Sequence, residues 1–264
     1  MKRFAIVFCM LPLALLAQTR TTVTKLYAAA VKDSFEIYIT TPAQIDPAKV
    51  YDVLYYCDAN LKSGNKLREM VDDSVYAQRV SHTIFVGIGH IGNYHVLRRR
   101  DYILPFINKN DTAGKSDNYG QIAHFYRFLT TELMPRINGM YKTNPANNSI
   151  LGHSLGGLFA FYCLFKNESY FQNYYALSPA LWIDKYSIYR FNQLTKGTMP
   201  QRYLYFSAGG QETLNHIKKG TTAMEAFLQQ QQYPSLRFTY TVHEGQTHNS
   251  QVPLSLHELL AMPQ

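Results

Sequence analysis

The chain has 264 residues, 46% of them hydrophobic, and a formal net charge of +8. That length allows one large domain with a substantial core, and no linker rich in Gly, Ser or Pro divides it. The basic residues are scattered apart from Arg98-Arg99-Arg100, so the charge does not indicate a nucleic-acid partner. We therefore expect a single globular domain, and the pattern leaves its oligomeric state open.

The amino terminus has the order of a secretory signal peptide. Met1-Lys2-Arg3 is positively charged, Phe4 to Leu16 is an apolar run, and Ala17-Gln18 supplies a small residue for cleavage. The run is shorter than the roughly 18 apolar residues that a membrane span needs. We predict a signal peptide over residues 1–17 and one domain over residues 18–264, exported to the periplasm or the medium without stable membrane insertion.

Strand patterns dominate the rest of the chain. Phe35, Ile37 and Ile39 alternate with polar residues, as in a strand with one buried face, and residues 22–30 are its predicted hairpin partner. Continuous apolar runs, typical of strands buried on both faces, follow at Val50–Cys57, Thr83–Ile88, Ser149–Leu151, Tyr174–Leu177, Arg202–Phe206 and Arg237–His243. We expect a mostly parallel sheet after an antiparallel beginning.

Helix patterns separate these runs. The longest apolar stripe recurs at spacings of three and four, at Ile122, Phe125, Leu129, Leu133 and Ile137. Pro135 should kink or end that helix, and further helices are predicted over Ala223–Leu228 and Leu254–Leu260. The alternation predicts a doubly wound α/β fold with helices on both faces of the sheet, in which ligands bind beyond the carboxyl ends of the strands.

A G-x-S-x-G motif is the strongest functional signal. Gly152-His153-Ser154-Leu155-Gly156 follows the apolar run Ser149–Leu151 and precedes an apolar helix pattern, which is the context the motif needs. The turn strains the serine backbone, and both glycines avoid Cβ collisions with the adjoining strand and helix. The N–H of Leu155 lies at a helix N-terminus and can donate to an oxyanion. The motif predicts Ser154 as a nucleophile.

A serine nucleophile needs a base, and in this fold the chain order is serine, acid, histidine. His248 is the predicted base, because the loop Glu244–His248 directly follows the last predicted strand. His243 belongs to that strand and His257 to the final helix, so both are interpreted as structural or exposed. His153 is interpreted as a packing residue rather than as a base.

The acid of the triad should follow the preceding strand. The loop Ser207–Glu212 offers only Glu212, which would orient the imidazole and stabilise its charged form. Asp184, after an earlier strand, is the alternative.

These residues resemble the bacterial "putative esterase" family of α/β-hydrolases, which includes esterase D, feruloyl esterases, trilactone-siderophore esterases and mycolyltransferases. The resemblance runs from about Phe35 to Ser250 and implies an α/β-hydrolase fold and ester hydrolysis. The matching stretches are Val53–Asp58, Phe85–Gly89, Arg99–Tyr102, Gly152–Gly157, Leu177–Trp182 and Gly245–Ser250.

The resemblance also implies the second half of the oxyanion hole. In the family the first strand ends in an Asp-Gly pair, and the next backbone N–H binds the oxyanion; here that residue is Asn60, with support from Asp58. This chain has Ala59 where the family usually has glycine, and alanine resists the positive φ that glycine allows. Some relatives use a glutamate acid, as Glu212 would be, and others in the siderophore branch manage with a Ser-His pair.

The walls of the cleft decide which ester is cleaved. The stretch His90–Gly120 lacks periodicity and is predicted to be a long loop beside the site. Tyr94, Tyr102 and Trp182 could stack on sugars or aryl groups, and Arg98–Arg100 could attract carboxylated or catecholate substrates. The predicted substrate-binding residues are Asp58, His90, Arg99, Tyr102, His153, Ser178 and Trp182.

The sequence thus predicts a secreted serine carboxylic-ester hydrolase that forms an acyl-enzyme on Ser154, with no metal or organic cofactor. The first substrate hypothesis is a carbohydrate-linked ester carrying feruloyl or acetyl groups. The alternative is the ester ring of a siderophore or similar natural product. A catalytically silent binding module is the hypothesis of another class, and the presence of both Ser154 and His248 argues against it.

Overall fold

One eight-stranded sheet runs through the protein, in the order β1-β2-β4-β3-β5-β6-β7-β8. The structure is a computed structural model that describes residues 19–105, 119–197, 200–212 and 215–262. The predicted signal peptide, residues 1–17, lies outside the described residues. The strands are β1 Thr19–Ala28, β2 Asp33–Pro42, β3 Asp52–Cys57, β4 Thr83–His90, β5 Ser149–His153, β6 Asn173–Leu177, β7 Arg202–Gly209 and β8 Leu236–His243.

The pairing of the strands confirms the predicted fold class. β2 pairs antiparallel with both β1 and β4, and every later pairing from β3 to β8 is parallel. The alternating residues Phe35, Ile37 and Ile39 of β2 are all buried, as the period of two requires. The carboxyl ends of the parallel strands therefore meet at one edge of the sheet.

Helices cover both faces of this sheet. They are α1 Lys62–Val71, α2 Ala77–Val80, α3 Tyr94–Tyr102, α4 Ile122–Phe128, α5 Met134–Met140, α6 Leu155–Phe165, α7 Ile183–Tyr186, α8 Asn215–Gln231 and α9 Val252–Ala261. Within the described residues, no helix is both long and apolar enough to cross a membrane.

The central strands are continuously apolar because each face of the sheet has its own core. Val53, Tyr55 and Cys57 of β3 pack in the cluster beneath α3 to α6 and α8. Leu54 and Tyr56 point the other way, into the cluster beneath α1, α2 and α9. Successive side chains alternate between the faces, so a strand buried on both sides needs apolar residues at successive positions.

The helical stripe predicted over residues 122–137 is longer and less regular than expected. A π-helical turn, Leu129–Leu133, joins α4 to α5, and Pro135 lies in the first turn of α5, which continues to Met140. Proline has no N–H to donate to the preceding helical turn, and the wider π-helical turn before Pro135 removes the need for that hydrogen bond. Pro135 therefore does not end the helix.

The predicted loop His90–Gly120 was wrong over its first part. β4 extends to His90, and α3 follows after Asn93, whose side chain accepts a hydrogen bond from the N–H of His95 at 3.2 Å. The buried residues of α3 include Arg100 and Asp101, and these charged residues hide the apolar periodicity that identifies most helices. Residues 106–118 of this stretch lie outside the described residues.

Replacing Gly152 with alanine should destabilise the protein by about 3 kcal/mol, because an overfilled site forces backbone shifts. A Cβ at Gly152 would lie 2.0 Å from the carbonyl oxygen of Gly156. Gly139→Ala on α5 is the matched control, since nothing lies within 4 Å of its Cβ position, and it should gain roughly 0.5 kcal/mol. Urea unfolding measures both variants. A Gly152→Ala protein as stable as the wild type would contradict this packing.

Candidate active site

Three neighbouring parallel strands end in residues with a left-handed backbone. Asp58 after β3, Ser154 after β5 and Ser178 after β6 have φ angles of 59°, 60° and 41°. Non-glycine residues rarely adopt such angles, and they cluster at functional sites when they do. Since β3, β5 and β6 are adjacent in the sheet, the three strained residues lie side by side at its carboxyl edge.

The turn that carries Ser154 is held by the end of the neighbouring strand. Its N–H donates to the carbonyl of Leu177 at 2.9 Å, and its own carbonyl accepts from the N–H of Ala180 at 3.0 Å. On the other side, α6 begins at Leu155 directly after the turn. These contacts place the Ser154 side chain at the N-terminus of a helix, where negative charge is favoured.

His248, which is partly exposed, and the buried Glu212 form a pair beside this turn. Nδ1 of His248 donates to Oε2 of Glu212 at 2.8 Å, and the Glu212 side chain is 0% exposed. The other carboxylate oxygen, Oε1, accepts from the Ser178 hydroxyl and from the N–H of Gly209. Burial raises the pKa of Glu212, but the hydrogen bonds from His248, Ser178 and Gly209 outweigh it and hold the pKa below its usual 4.5. The pair joins His248 to Glu212, and not to the alternative acid Asp184.

His153 supports the loop of His248 rather than acting as a base. Its Nε2 donates to the carbonyl of His248 at 2.9 Å, and the two rings lie 4.5 Å apart. Burial, followed by the nearby His248, lowers the pKa of His153 to about 3. The imidazole is therefore neutral near pH 7 and is occupied as a hydrogen-bond donor.

Ser154 and His248 open onto the same pocket, whose volume is about 470 Å³. The hydrogen bonds of the described residues do not include one between these two side chains. Such bonds are often long in ligand-free sites and tighten when substrate binds. The pocket is lined by Asp58, Leu61, Lys62, Ser63, Lys66, Tyr94, Arg98, His153, Ser154, His248, Asn249, Val252 and Pro253.

Two backbone amides, those of Leu155 and Asn60, have the features of oxyanion donors. Leu155 is the first residue of α6, and the first N–H groups of a helix have no partner within it. Among the described residues, the Asn60 N–H has no hydrogen-bond acceptor, while the Asn60 side chain is fixed by donating to the carbonyl of His90 at 2.8 Å. Ala59 is tolerated because the left-handed residue of this loop is Asp58.

Comparison with known proteins agrees with this geometry. A family model described as "Putative esterase" matches residues 28–258. The chain belongs to this family. The resemblance found in the sequence is confirmed, and the protein is a carboxylic ester hydrolase.

Two bacterial relatives of this esterase have names that state their substrates. The ferri-bacillibactin esterase BesA of Bacillus subtilis is 27% identical over 241 residues, which cover 84% of this chain and 81% of BesA. The apo-salmochelin esterase of Escherichia coli is 27% identical over 155 residues, which cover 56% of this chain and 47% of that protein. The solved structure of the BES protein from Bacillus cereus has a TM-score of 0.77 and 27% identity, and the match covers 98% of each chain.

Several predicted substrate-binding residues of the esterase are placed elsewhere. His90 is 3% exposed and pairs through Nε2 with Asp101 at 2.9 Å, and Tyr102 is 0% exposed; both belong to the core beneath α3. Ser178 is buried and supports the carboxylate of Glu212. Only polar groups that remain at the surface of the pocket can contact a substrate, so these three predictions were wrong.

The other wall predictions divide between the pocket and its surroundings. Arg99, which was predicted to bind substrate, is exposed and lies off the pocket, whereas its neighbour Arg98 lines the pocket. Adjacent residues of a helix point about 100° apart, so only one of the two can face the pocket. The Trp182 ring packs 5.7 Å from the ring of His216, away from the pocket wall. Asp58 and His153 do line the pocket.

Sequence reasoning missed the wall that α1 contributes. Lys62, Ser63 and Lys66 line the pocket of the esterase from this helix. The available signal was position, since α1 follows the carboxyl end of β3, where ligands bind in this class of fold. Within the described part of the chain, no cluster of His, Cys, Asp and Glu is placed to hold a metal ion.

Glu212→Gln should lower stability by about 1–2 kcal/mol at pH 7, because it replaces charge-assisted hydrogen bonds with neutral ones. The folded pKa of Glu212 lies below its usual 4.5, so the stabilisation is present above the unfolded pKa and is lost as pH falls through the folded pKa. The difference between wild type and variant should therefore shrink below about pH 4.5. Urea unfolding from pH 7 to pH 3 measures it.

Glu225→Gln is the matched control for this prediction. Glu225 lies on α8 and accepts one hydrogen bond, from Gln229 at 3.3 Å, so its replacement should change stability by less than about 0.5 kcal/mol at every pH. A constant difference between wild type and Glu212→Gln across the pH range would contradict the assigned role of the carboxylate.

Proposed function

We propose that this protein hydrolyses siderophore esters through an acyl-enzyme on Ser154, with His248 as general base and Glu212 as the acid that orients it. The strongest support is the His248–Glu212 pair, at 2.8 Å, whose histidine lines the same pocket as Ser154. The ionised Glu212 accepts the proton-bearing Nδ1, which leaves Nε2 of the neutral imidazole free to accept a proton. That arrangement is what serine activation requires.

The reaction follows from these positions. His248 Nε2 takes the proton of the Ser154 hydroxyl while the oxygen attacks the ester carbonyl, and the Leu155 and Asn60 amides donate to the oxyanion. Collapse of the intermediate breaks the ester C–O bond, and His248 returns the proton to the departing alcohol. Water then attacks the acyl-enzyme and gives a proton to His248; the bond between the acyl carbon and Oγ of Ser154 breaks, His248 returns that proton to Oγ, and the acid is released.

The charge of the pocket supports an anionic substrate. Lys62 and Lys66 lie on the α1 side of the pocket, where Lys66 also pairs with the exposed Glu69 at 3.2 Å, and the carboxylate of Asp58 is already paired with Arg98 at 2.8 Å. The wall is therefore cationic, which suits catecholate or other anionic ligands, above all as their iron complexes. BesA, which matches 84% of this chain, acts on ferri-bacillibactin.

The same geometry gives less support to carbohydrate-linked esters, the first hypothesis from the sequence. Of the three aromatic residues predicted to stack on sugars or aryl groups, Tyr102 and Trp182 lie off the pocket wall. Tyr94 does line it, and a single aromatic ring suits an aryl group as well as a sugar.

We also propose export of the protein, on the signal-peptide pattern of residues 1–17.

Hydrolysis of a panel of esters tests the substrate class. We expect kcat/KM for catecholate trilactones, metal-free and ferric, to exceed that for feruloyl and acetyl sugar esters at least tenfold. Ser154→Ala should abolish hydrolysis of all of them, with a loss of about 10⁴-fold or more. Product formation is followed by chromatography. Faster cleavage of the sugar esters would contradict the substrate assignment.

Two controls separate the parts of this test. A fluorophosphonate should label the wild type once and fail to label Ser154→Ala; an unlabelled wild type would favour a binding module. The double variant Lys62→Gln/Lys66→Gln should raise KM for the ferric complex more than for the metal-free ester. Lys218→Gln, whose side chain pairs with Glu244 at 3.6 Å away from the pocket, should change neither value.

A further inference from the structure

Arg98 connects the loops that follow β3 and β5. Its Nε donates to Oδ1 of Asp58 at 2.8 Å, and its Nη2 donates to Oδ2 of Asp58 at 3.0 Å. The same Nη2 also donates to the carbonyl of His153 at 3.2 Å. The Arg98 guanidinium on α3 therefore binds the side chain of Asp58 at the end of β3 and the backbone carbonyl of His153 at the end of β5.

The two anchors have equivalent positions relative to the oxyanion donors. Asp58 lies two residues before Asn60, and His153 lies two residues before Leu155. The loops also touch where Gly156 faces Asp58, since a Cβ at Gly156 would lie 3.2 Å from Oδ2 of that aspartate. The separation of the two amides therefore depends on how the ends of β3 and β5 are held together.

The burial of this ion pair indicates that it fixes the positions of the groups it binds rather than adding to the stability of the fold. The side chains of Arg98 and Asp58 are 15% and 2% exposed. Buried ion pairs recover little more than the cost of removing two charges from water, and apolar residues of similar size often serve stability equally well. Unlike an apolar contact, a planar guanidinium fixes the direction and distance of each group it binds.

We propose that Arg98 is a positioning residue that sets the distance between the two amides of the oxyanion hole. The inference rests on the proposed roles of Asn60 and Leu155. Arg98 acts through Asp58 and His153 and does not itself touch the reacting atoms. Since stabilisation of the oxyanion is specific to the transition state, loss of the bridge should reduce kcat and leave ground-state binding unchanged.

Arg98→Lys is the main test, because lysine keeps the charge beside Asp58 but lacks the planar fork. With 4-nitrophenyl butyrate we expect kcat to fall about 30-fold, part of the 10²–10³-fold loss of a whole oxyanion donor, with KM within threefold of the wild type. Affinity for a trifluoromethyl ketone, which adds to the serine and forms an oxyanion, should fall in parallel with kcat. The apparent pKa of the pH–rate profile should be unchanged, because His248 and Glu212 are untouched.

Arg100→Lys is the matched control on the same helix. Arg100 is 7% exposed and binds Asp101 and Asp33, at 2.7 Å and 2.8 Å, so its replacement should lower the melting temperature while kcat stays within threefold. Guanidinium chloride at low millimolar concentration should partly restore kcat in Arg98→Ala and have no effect on Arg100→Ala.

Three results would overturn the proposal: an unchanged kcat in Arg98→Lys, a rise in KM in Arg98→Lys without a fall in kcat, or an equal fall in kcat in Arg100→Lys. The second would show that Arg98 contacts the substrate directly. These outcomes are distinct from failure of the proposed function, which would appear as a wild-type protein that neither hydrolyses 4-nitrophenyl butyrate nor reacts with a fluorophosphonate.

Discussion

The site depends on a backbone turn that has no room for a side chain at Gly152. Between β5 and α6, a Cβ at Gly152 would lie 2.0 Å from the carbonyl oxygen of Gly156, so the chain reverses within the length of the motif. This turn forces Ser154 to a φ of 60° and leaves the Leu155 amide at the start of a helix. Strain of this kind persists only where the surrounding structure holds it, and here the ends of β3 and β6 do so.

Around that turn, each loop of the site is tied to another by a polar contact that is at least partly buried. Glu212, after β7, binds both His248 and Ser178. His153 binds the backbone of His248, and Arg98 joins His153 to the loop after β3. Fixed dipoles and hydrogen bonds stabilise developing charge without reorganising during the reaction. The polar contacts therefore hold the loops of the site in fixed positions relative to one another, at the ends of the strands and helices.

Much of this could be predicted from the sequence because the signals were local or followed chain order. The G-x-S-x-G motif located Ser154, and the positions of His248 and Glu212 after the last two strands identified the pair that the structure brings together. The pattern of continuous apolar runs likewise gave the parallel sheet. Each of these inferences needed only the order of the elements, and not the way they pack.

The pocket wall could not be predicted in the same way, because it depends on how helices rotate when they dock. On α3 the arginine that lines the pocket is Arg98, one residue before the predicted Arg99. The charged, buried residues Arg100 and Asp101 also concealed the helical pattern of this segment. His90 was predicted at the pocket but ends β4 inside the core. The α1 lysines carry no motif and reach the pocket only through the sheet order.

A crystal structure of the protein inhibited by a small alkyl phosphonate would show directly whether the two amides bind an oxyanion. The proposed oxyanion hole requires phosphorus bonded to Oγ of Ser154, with the phosphoryl oxygen about 2.7–3.1 Å from the amide nitrogens of Leu155 and Asn60. His248 Nε2 should lie within hydrogen-bond reach of the Ser154 oxygen. A phosphoryl oxygen that points to solvent, away from both amides, would contradict it.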